Sequence, residues 1–498
     1  MAESLGEKAA RATKWSMATQ VASKAISPVT QMVLAHLLAP EAFGVVALAN
    51  MVLSLADLFS DAGFQKYLIQ HEFDSDDELY LSADVAFWTN MAVSFTLWAA
   101  ISLFRDRIAA LVGNASIGPL IVFACSSLPL TAAVSVQTAV YQRSFDFRTL
   151  FKSRVGSSLL IFAVSVPLAV MGASYWSIVC GTVASNLFLA VWLTVRSSWK
   201  PKFRYEVSAL REMLSFSVWT LVEALSIWLT GWVGTLILGT LLDSYTVGLF
   251  NTPVSFVNAT MSMVTAVIIP VSFATLSRLQ DDGPRFAKAF CEIQRMLAYL
   301  LAPLGVAIFV FRDTLVLLVM GEVWAASSTL FGLQALASSV VVVFGHVASE
   351  GYRAMGKPRV SLLVQLFVLG YTIPAYIVGA KAGYEVLSVI VPMARLIGVF
   401  VHLLACWMVL KLSPLTMFGN VAPFYVASLL CGTACMSIAL LFTPGTIGQC
   451  VLMAVFATAY AALSLMVPPL RRTLCEALTR LGLLRMLPKW MVEYVAQD

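Results

Sequence analysis

Charge is what this sequence has least of. Only 12% of its 498 residues are Asp, Glu, Lys or Arg, about half the share found in an ordinary soluble domain. With 59% hydrophobic residues and a mean hydropathy of +0.85, the chain is expected to be integral to a membrane. Alternation of apolar and polar residues is lacking too, which excludes a membrane barrel and leaves helices. The 8 cysteines stand mostly in apolar runs without metal-ligand spacing, and the 4 histidines have no partners at such spacing, so no metal or other cofactor is expected. No Walker pattern follows Gly351 and Gly356 in GYRAMGKPR, which argues against ATP hydrolysis. Nucleic-acid motifs are absent, and the net charge of +5 reads as basic loops beside anionic lipid rather than as a nucleic-acid partner. No A-x-A cleavage site follows the charged segment holding Glu3, Glu7, Lys8, Arg11 and Lys14, so the first helix is expected to stay in the mature protein.

What is present is a series of apolar runs of membrane length. A span needs about 20 residues to cross about 30 Å of hydrocarbon. Fourteen fit, at residues 14–37, 42–64, 81–104, 117–139, 153–172, 175–195, 213–238, 246–270, 291–311, 324–348, 359–379, 384–410, 420–443 and 447–468. With a cytoplasmic N-terminus, the Lys and Arg between these spans fall almost wholly on the cytoplasmic side. Only Arg105, Arg107, Arg312 and Lys381 lie opposite. The expected fold is an all-α integral membrane protein with about fourteen transmembrane helices and both termini in the cytoplasm.

The first two spans carry polar stripes. At helical spacing, Gln20, Lys24, Ser27 and Gln31 share one face, and Asn50, Ser54, Asp57 and Asp61 share another. Lipid cannot solvate Lys24, Asp57 or Asp61, since a charge near the bilayer centre costs about 2.5–3.5 kcal/mol even on the lenient insertion scale. Those faces must meet protein or a water-filled cavity.

The second half of the chain repeats the first. LLAPEAFGVV at 37–46 lies over LLDSYTVGLF at 241–250, Phe104-Arg105-Asp106 recurs as Phe311-Arg312-Asp313, and Tyr141 and Arg148 keep the spacing of Tyr352 and Arg359. A repeat of six helices, an even number, keeps both copies in one orientation. It implies two lobes related by a pseudo-two-fold axis along the membrane normal, with the substrate path between them. The expected domains are an N-lobe at 1–195, a cytoplasmic linker at 196–212, a C-lobe at 213–410, two further helices within 411–468 and an amphipathic tail at 469–498. The repeat also predicts polar stripes on the seventh and eighth helices. They are there: Glu223, Ser226, Thr230 and Gly234, then Asn251, Ser255, Asn258, Ser262 and Thr265.

The LLAPEAFGVVAL turn, DAGFQKYLIQ at 61–70, FGLQALASSV at 331–340 and GYRAMGKPR at 351–359 resemble the multidrug/oligosaccharidyl-lipid/polysaccharide exporter superfamily. Within it, they look like the bacterial polysaccharide flippases of the inner membrane, which act on undecaprenyl-linked repeat units. The resemblance covers most of the chain. It implies two six-helix lobes around a V-shaped cavity, alternating access, and movement of a lipid-pyrophosphate-sugar to the periplasmic leaflet for exopolysaccharide, lipopolysaccharide or capsule. The implied partners are that substrate, the bilayer and the polymerase and chain-length proteins of the same pathway, with the chain itself expected to be a monomer. A multidrug or cation antiporter of the same superfamily is the alternative, and a membrane glycosyltransferase or polymerase the more distant one.

A pyrophosphate crossing hydrocarbon needs positive partners. Lys24, four residues before the helix-kinking Pro28, is the expected head-group contact, with Gln20, Gln31 and Asn258 as polar neighbours and Arg395 a second cation. The competing reading pairs Lys24 with Asp57 or Asp61, and lets Arg395 snorkel or pair structurally. Asp57, Asp61 and Glu223 are candidates for H+ or Na+ coupling. Coupling to an ion is not obligatory, since the membrane potential favours each outward negative charge by about 2.3 kcal/mol per 100 mV. Asp74-Ser75-Asp76 resembles the acidic motif of glycosyltransferases but is expected to be a solvated loop.

Overall fold

The computed structural model describes Trp15 and residues 26–61 and 63–480, and every regular element among them is helical. In chain order these are α1 (Ile26–Leu37), α2 (Pro40–Asp61), α3 (Phe64–Gln70), α4 (Asp76–Leu103), α5 (Arg105–Leu111), α6 (Gly118–Cys125), α7 (Leu128–Arg143), α8 (Phe147–Val170), α9 (Tyr175–Arg196) and α10 (Val207–Leu241). Next come α11 (Ser244–Arg278), α12 (Gly283–Val310), α13 (Arg312–Val319), α14 (Ser328–Val341), α15 (Val347–Ala354), α16 (Pro358–Ala382), α17 (Tyr384–Ala405), α18 (Pro414–Phe442), α19 (Thr446–Met466) and α20 (Pro468–Arg480). Twelve helical stretches among the described residues are long and apolar enough to cross a membrane, and each coincides with a predicted span. Of the span at 14–37 only Ile26–Leu37 lies within the described residues. The span at 246–270 falls on α11, a helix of 35 residues some of whose side chains lie outside them. The protein is a multi-pass helical membrane protein.

Local chemistry sets the helix starts. Ser75 Oγ accepts the Glu78 amide at 3.3 Å while Glu78 Oε2 accepts the Asp74 amide at 2.8 Å, a reciprocal cap that begins α4. The acidic motif at residues 74–76 is therefore the cap and first turn of a helix rather than a free loop, and Asp76, Asp77 and Glu78 sit where the helix dipole favours negative charge. Asp146 and Asp282 cap α8 and α12 through the amides of Thr149 and Arg285 at 3.0 and 3.1 Å.

The internal repeat is visible in backbone detail. Phe104 ends α4 at φ −102°, ψ 17°, and Phe311 ends α12 at φ −101°, ψ 19°. Each is followed by a short helix that begins Arg-Asp. Tyr141 Oη donates to the Leu193 carbonyl at 3.1 Å, and Tyr352 Oη donates to the His402 carbonyl at the same 3.1 Å. The repeated turns themselves meet. A Cβ on Gly44 would run into the Ser244 carbonyl oxygen, and one on Gly248 into that of Pro40. Only glycine lets the first turns of α2 and α11 approach in this reciprocal way.

By packing, the chain divides between Thr252 and Pro253 into two compact units. Because α10 packs on α2, it belongs to the first unit, whereas the repeat boundary at residues 196–212 is a division by sequence period. The linker is short: α10 already begins at Val207, and the residues before it are laced onto α4. Asp84, fully buried, accepts Trp199 Nε1 at 3.0 Å, the Lys202 amide at 2.9 Å and Arg204 Nε at 2.9 Å. Arg204 Nη1 reaches on to Asp77 at 2.9 Å, and these two carboxylates hold its guanidinium above the usual arginine range. Trp88 Nε1 donates to the Lys202 carbonyl at 2.9 Å while its ring stacks on Phe203 at 4.2 Å.

Candidate functional site

In the first unit the polar stripe of α2 is divided between two neighbouring helices. Ser54 Oγ accepts Trp228 Nε1 of α10 at 2.9 Å. One turn on, Asp57 Oδ1 accepts the Thr131 hydroxyl of α7 at 2.6 Å, and a further turn on, Asp61 Oδ1 accepts the Ser135 hydroxyl. Both rungs join residues 74 apart in sequence, so α2 and α7 run parallel and in register, and each contributes groups at i and i+4. Ser60 hydrogen-bonds Ser94 of α4 on the adjoining face. The stripe meets protein, as the sequence requires, and both carboxylates stay half-buried. No cation lies within 4 Å of Asp57 or Asp61 among the described residues. Hydroxyls supply the side-chain partners described there, and the Gly63 and Gln65 amides add backbone donors to Asp61; the alternative partner Lys24 lies outside the described residues. A carboxylate held this way, with no described cation within 4 Å, can carry a proton or face a mobile cation, and of the described cations Lys66 acts on the charge of Asp61 from farther away.

The other sequence candidates are placed unevenly. Gln20 and Lys24 lie outside the described residues. Gln31 is half-buried on α1, and Asn258 is exposed on α11. Glu223 falls within α10, but its side chain is outside the described set. Beside its stripe position, Asn251 accepts Thr235 Oγ1 through Oδ1 at 3.2 Å. Arg395 belongs to the second unit, where Nη1 donates to Ser338 Oγ of α14 at 3.1 Å.

Several polar residues escaped the sequence reading. Asp84 sits in the apolar run LSADVAFW, and a lone carboxylate facing a basic connecting segment was the available signal. Asn90 of α4 and Gln137 of α7 are fully buried, and no hydrogen-bond partner for either side chain is present among the described residues. Thr131 and Ser135 carry no signal in sequence. Hydroxyls are common in membrane helices, and only tertiary packing brings these two to the aspartates. His346 and His402 lie close together in the second unit, and no cluster of three or more metal-ligating side chains occurs among the described residues.

Known proteins share both sequence and fold with this chain. ExoT of Rhizobium meliloti (strain 1021), named a succinoglycan biosynthesis transport protein, is 22% identical over 327 residues, 66% of this chain and 65% of ExoT, just under two thirds of that relative. WzxC of Escherichia coli (strain K12), a lipopolysaccharide biosynthesis protein, is 23% identical over 387 residues, 76% of each chain. Among solved structures, the lipid II flippase MurJ in an inward closed conformation superimposes with a TM-score of 0.72 at 13% identity, covering 91% of this chain and 98% of MurJ. An inward-facing multidrug resistance MATE transporter of the MOP superfamily gives 0.54 at 13% identity, covering 80% and 94%. At such identities the structural likeness establishes the fold. The sequence profile described as "Polysaccharide biosynthesis protein" matches residues 33–329, more than half of the 498-residue chain, and the chain belongs to that polysaccharide biosynthesis protein family.

Proposed function

We propose that this chain is a flippase, a transporter rather than an enzyme. On this reading it moves undecaprenyl-pyrophosphate-linked oligosaccharide repeat units across the bacterial inner membrane by alternating access, for exopolysaccharide, lipopolysaccharide or capsule. The observation that carries the reading is the family match over residues 33–329, with relatives named for succinoglycan transport and lipopolysaccharide biosynthesis. The geometry supports it: charged and hydroxyl side chains line facing surfaces of membrane-length helices, where a polar cargo needs them. Lys24 is the head-group contact, with Gln20, Gln31 and Asn258 on the polar faces nearby in sequence or by repeat. Both termini face the cytoplasm, as the distribution of Lys and Arg requires. The chain works as a monomer beside the polymerase and chain-length proteins of its pathway.

Coupling has two sources in this scheme. Asp57 and Asp61, with hydroxyl partners and no described cation within 4 Å, suit H+ or Na+ exchange, and Glu223, on the helix that the repeat lays over the first span, is the third candidate. The membrane potential supplies about 2.3 kcal/mol per 100 mV for each outward negative charge. The same carboxylates favour one second reading, a cation antiporter of the superfamily.

The test is a proteoliposome assay in which a fluorescent polyprenyl-pyrophosphate sugar becomes accessible to a reagent outside the vesicle. Lys24→Ala should abolish translocation at unchanged membrane abundance, and Lys24→Arg should retain part of it. Full translocation by Lys24→Ala removes Lys24 from the site. Export of organic cations with no effect of the lipid-linked sugar would favour the antiporter, and sugar transfer by the purified chain alone would end the transporter reading.

A further inference from the structure

The second unit holds Arg395, which the sequence offers as a second cation for the head group and whose described neighbours suit a smaller anion as well. Arg395 stands near the middle of the span Tyr384–Leu410, in line with the buried Val391, Pro392, Gly398 and Val399 of the same helix. Its Nη1 ends on Ser338 Oγ at 3.1 Å, and Ser338 is itself buried near the middle of the span Glu322–Ala354. A snorkelling arginine would carry its head group to a helix end; this one turns into the bundle at mid-depth. No carboxylate lies within 4 Å of Arg395 among the described residues. Glu350 pairs with Arg353 instead, at 3.3 Å.

What surrounds the guanidinium is a set of neutral groups able to donate. Ser338 accepts from Arg395, which leaves its own hydroxyl proton free to point elsewhere. The Gln334 side-chain amide reaches the same Ser338 oxygen at 3.4 Å. On α16, Tyr371 and Tyr376 lie close enough to act on the charge of Arg395. Tyr371 Oη sits against α17 one turn beyond Arg395, where a Cβ on Gly398 would come within 2.6 Å of it. Guanidinium carries five N–H donors and no acceptor, and Ser338 takes only one of them among the described hydrogen bonds, so the others are available to a guest. A cation at this depth is costly unless acceptors or an anion compensate it, and the neutral groups described around Arg395 supply few acceptors.

We propose that Arg395, Ser338 and Tyr371 form a binding site for one small inorganic anion of the halide class inside the second unit. A monatomic ion suits the site because the groups that flank it, Ser338 and Gln334, are almost wholly buried. The geometry therefore favours a compact guest over a branched one. Bound there, the ion neutralises Arg395 without a carboxylate. The site does not depend on which cargo the chain carries.

The experiment uses the purified full-length chain in detergent, with gluconate replacing chloride in the buffer, and measures binding of radioactive chloride with bromide as competitor. Wild type should bind chloride saturably and lose it to bromide. Arg395→Gln should abolish binding, Arg395→Lys should weaken it, and loss of one hydroxyl donor in Ser338→Ala or Tyr371→Phe should weaken it about ten-fold. Absence of saturable chloride binding by wild type overturns the proposal, as does undiminished binding by a folded Arg395→Gln. Should Arg395→Gln not fold, the hydroxyl variants decide, and unchanged chloride affinity in both Ser338→Ala and Tyr371→Phe overturns it. Chloride displaced by a polyprenyl phosphate but not by bromide would make a lipid phosphate the occupant and overturn the assignment to a free ion.

Discussion

At the scale of single residues, the paired hydroxyl-carboxylate rungs between α2 and α7 allow structure and transport to be separated. In Asp57→Asn the carboxamide oxygen can still accept the Thr131 hydroxyl that Asp57 Oδ1 accepts at 2.6 Å, so the packing of the two helices is kept while the charge is removed. Protein abundance in the membrane should therefore stay near that of wild type. If the carboxylate binds the coupling ion, translocation should fall roughly ten-fold or more, the effect of losing about 1.4 kcal/mol in the rate-limiting state. Thr131→Val makes the opposite change, stranding Asp57 at a cost of about 1–3 kcal/mol but leaving its charge. Its signature should be lower abundance with transport per molecule largely kept. Quantitative blots beside the vesicle assay read both, and equal loss of abundance in the two variants would reduce Asp57 to a packing residue. The aspartates were legible in sequence because their i, i+4 spacing on an apolar helix leaves few alternatives. Their partners were not, since Thr131 and Ser135 differ in no local way from hydroxyls that merely join helices.

At the scale of elements, the segment between α9 and α10 is a strap rather than a tether. A tether would hold no buried charge, whereas Asp84 collects three donors from residues 199–204, and Trp88 with Phe203 adds an aromatic stack. The start of α10 is thereby fixed to the start of α4, which also receives Arg204 at Asp77. Asp84→Ala leaves the Trp199 indole N–H, the Lys202 amide and the Arg204 guanidinium without their shared acceptor. The expected loss is about 3 kcal/mol, the low end for a broken buried pair, because Arg204 itself is a third exposed. Thermal unfolding in detergent should show it as a clear drop in melting temperature. Arg204→Ala should cost less than Asp84→Ala, since the indole and amide donors keep their acceptor; equal costs would mean that the ion pair alone holds the strap. The sequence showed a basic, Pro-containing run, and the lone carboxylate Asp84 in an apolar stretch was its one hint of docking. It also showed an acidic cluster at 74–78 whose use as a helix cap depends on Ser75 standing three residues before Glu78.

At the scale of the whole molecule, the order of the membrane-length helices was readable before any coordinates because lipid leaves so few options. A chain with few charges must hide its backbone polar groups in helices of membrane length, and the bias of Lys and Arg sets the direction to be expected of them. The duplication was readable only as scattered matches, and the structure explains why those residues persist: they are the ones with backbone duties. Phe104 and Phe311 end helices at nearly the same dihedral angles, Gly44 and Gly248 permit the close approach of α2 and α11, and Tyr141 and Tyr352 each fasten one helix to a carbonyl of another. If this correspondence is energetic as well as geometric, removing either hydroxyl should have the same effect. Tyr141→Phe and Tyr352→Phe each delete the bond to a carbonyl, of Leu193 and His402, both 3.1 Å long, and Tyr352→Phe also gives up a weak contact with Cys406 Sγ at 3.5 Å, so each should cost about 1 kcal/mol. They belong to separate compact units and share no partner, so the double variant should lose the sum, about 2 kcal/mol, within the few tenths expected of independent sites. Chemical denaturation of the four proteins measures this directly. Unequal single costs would show that the two copies have drifted apart in energy while keeping the same bond, and a double cost well away from the sum would show that the two sites are energetically coupled.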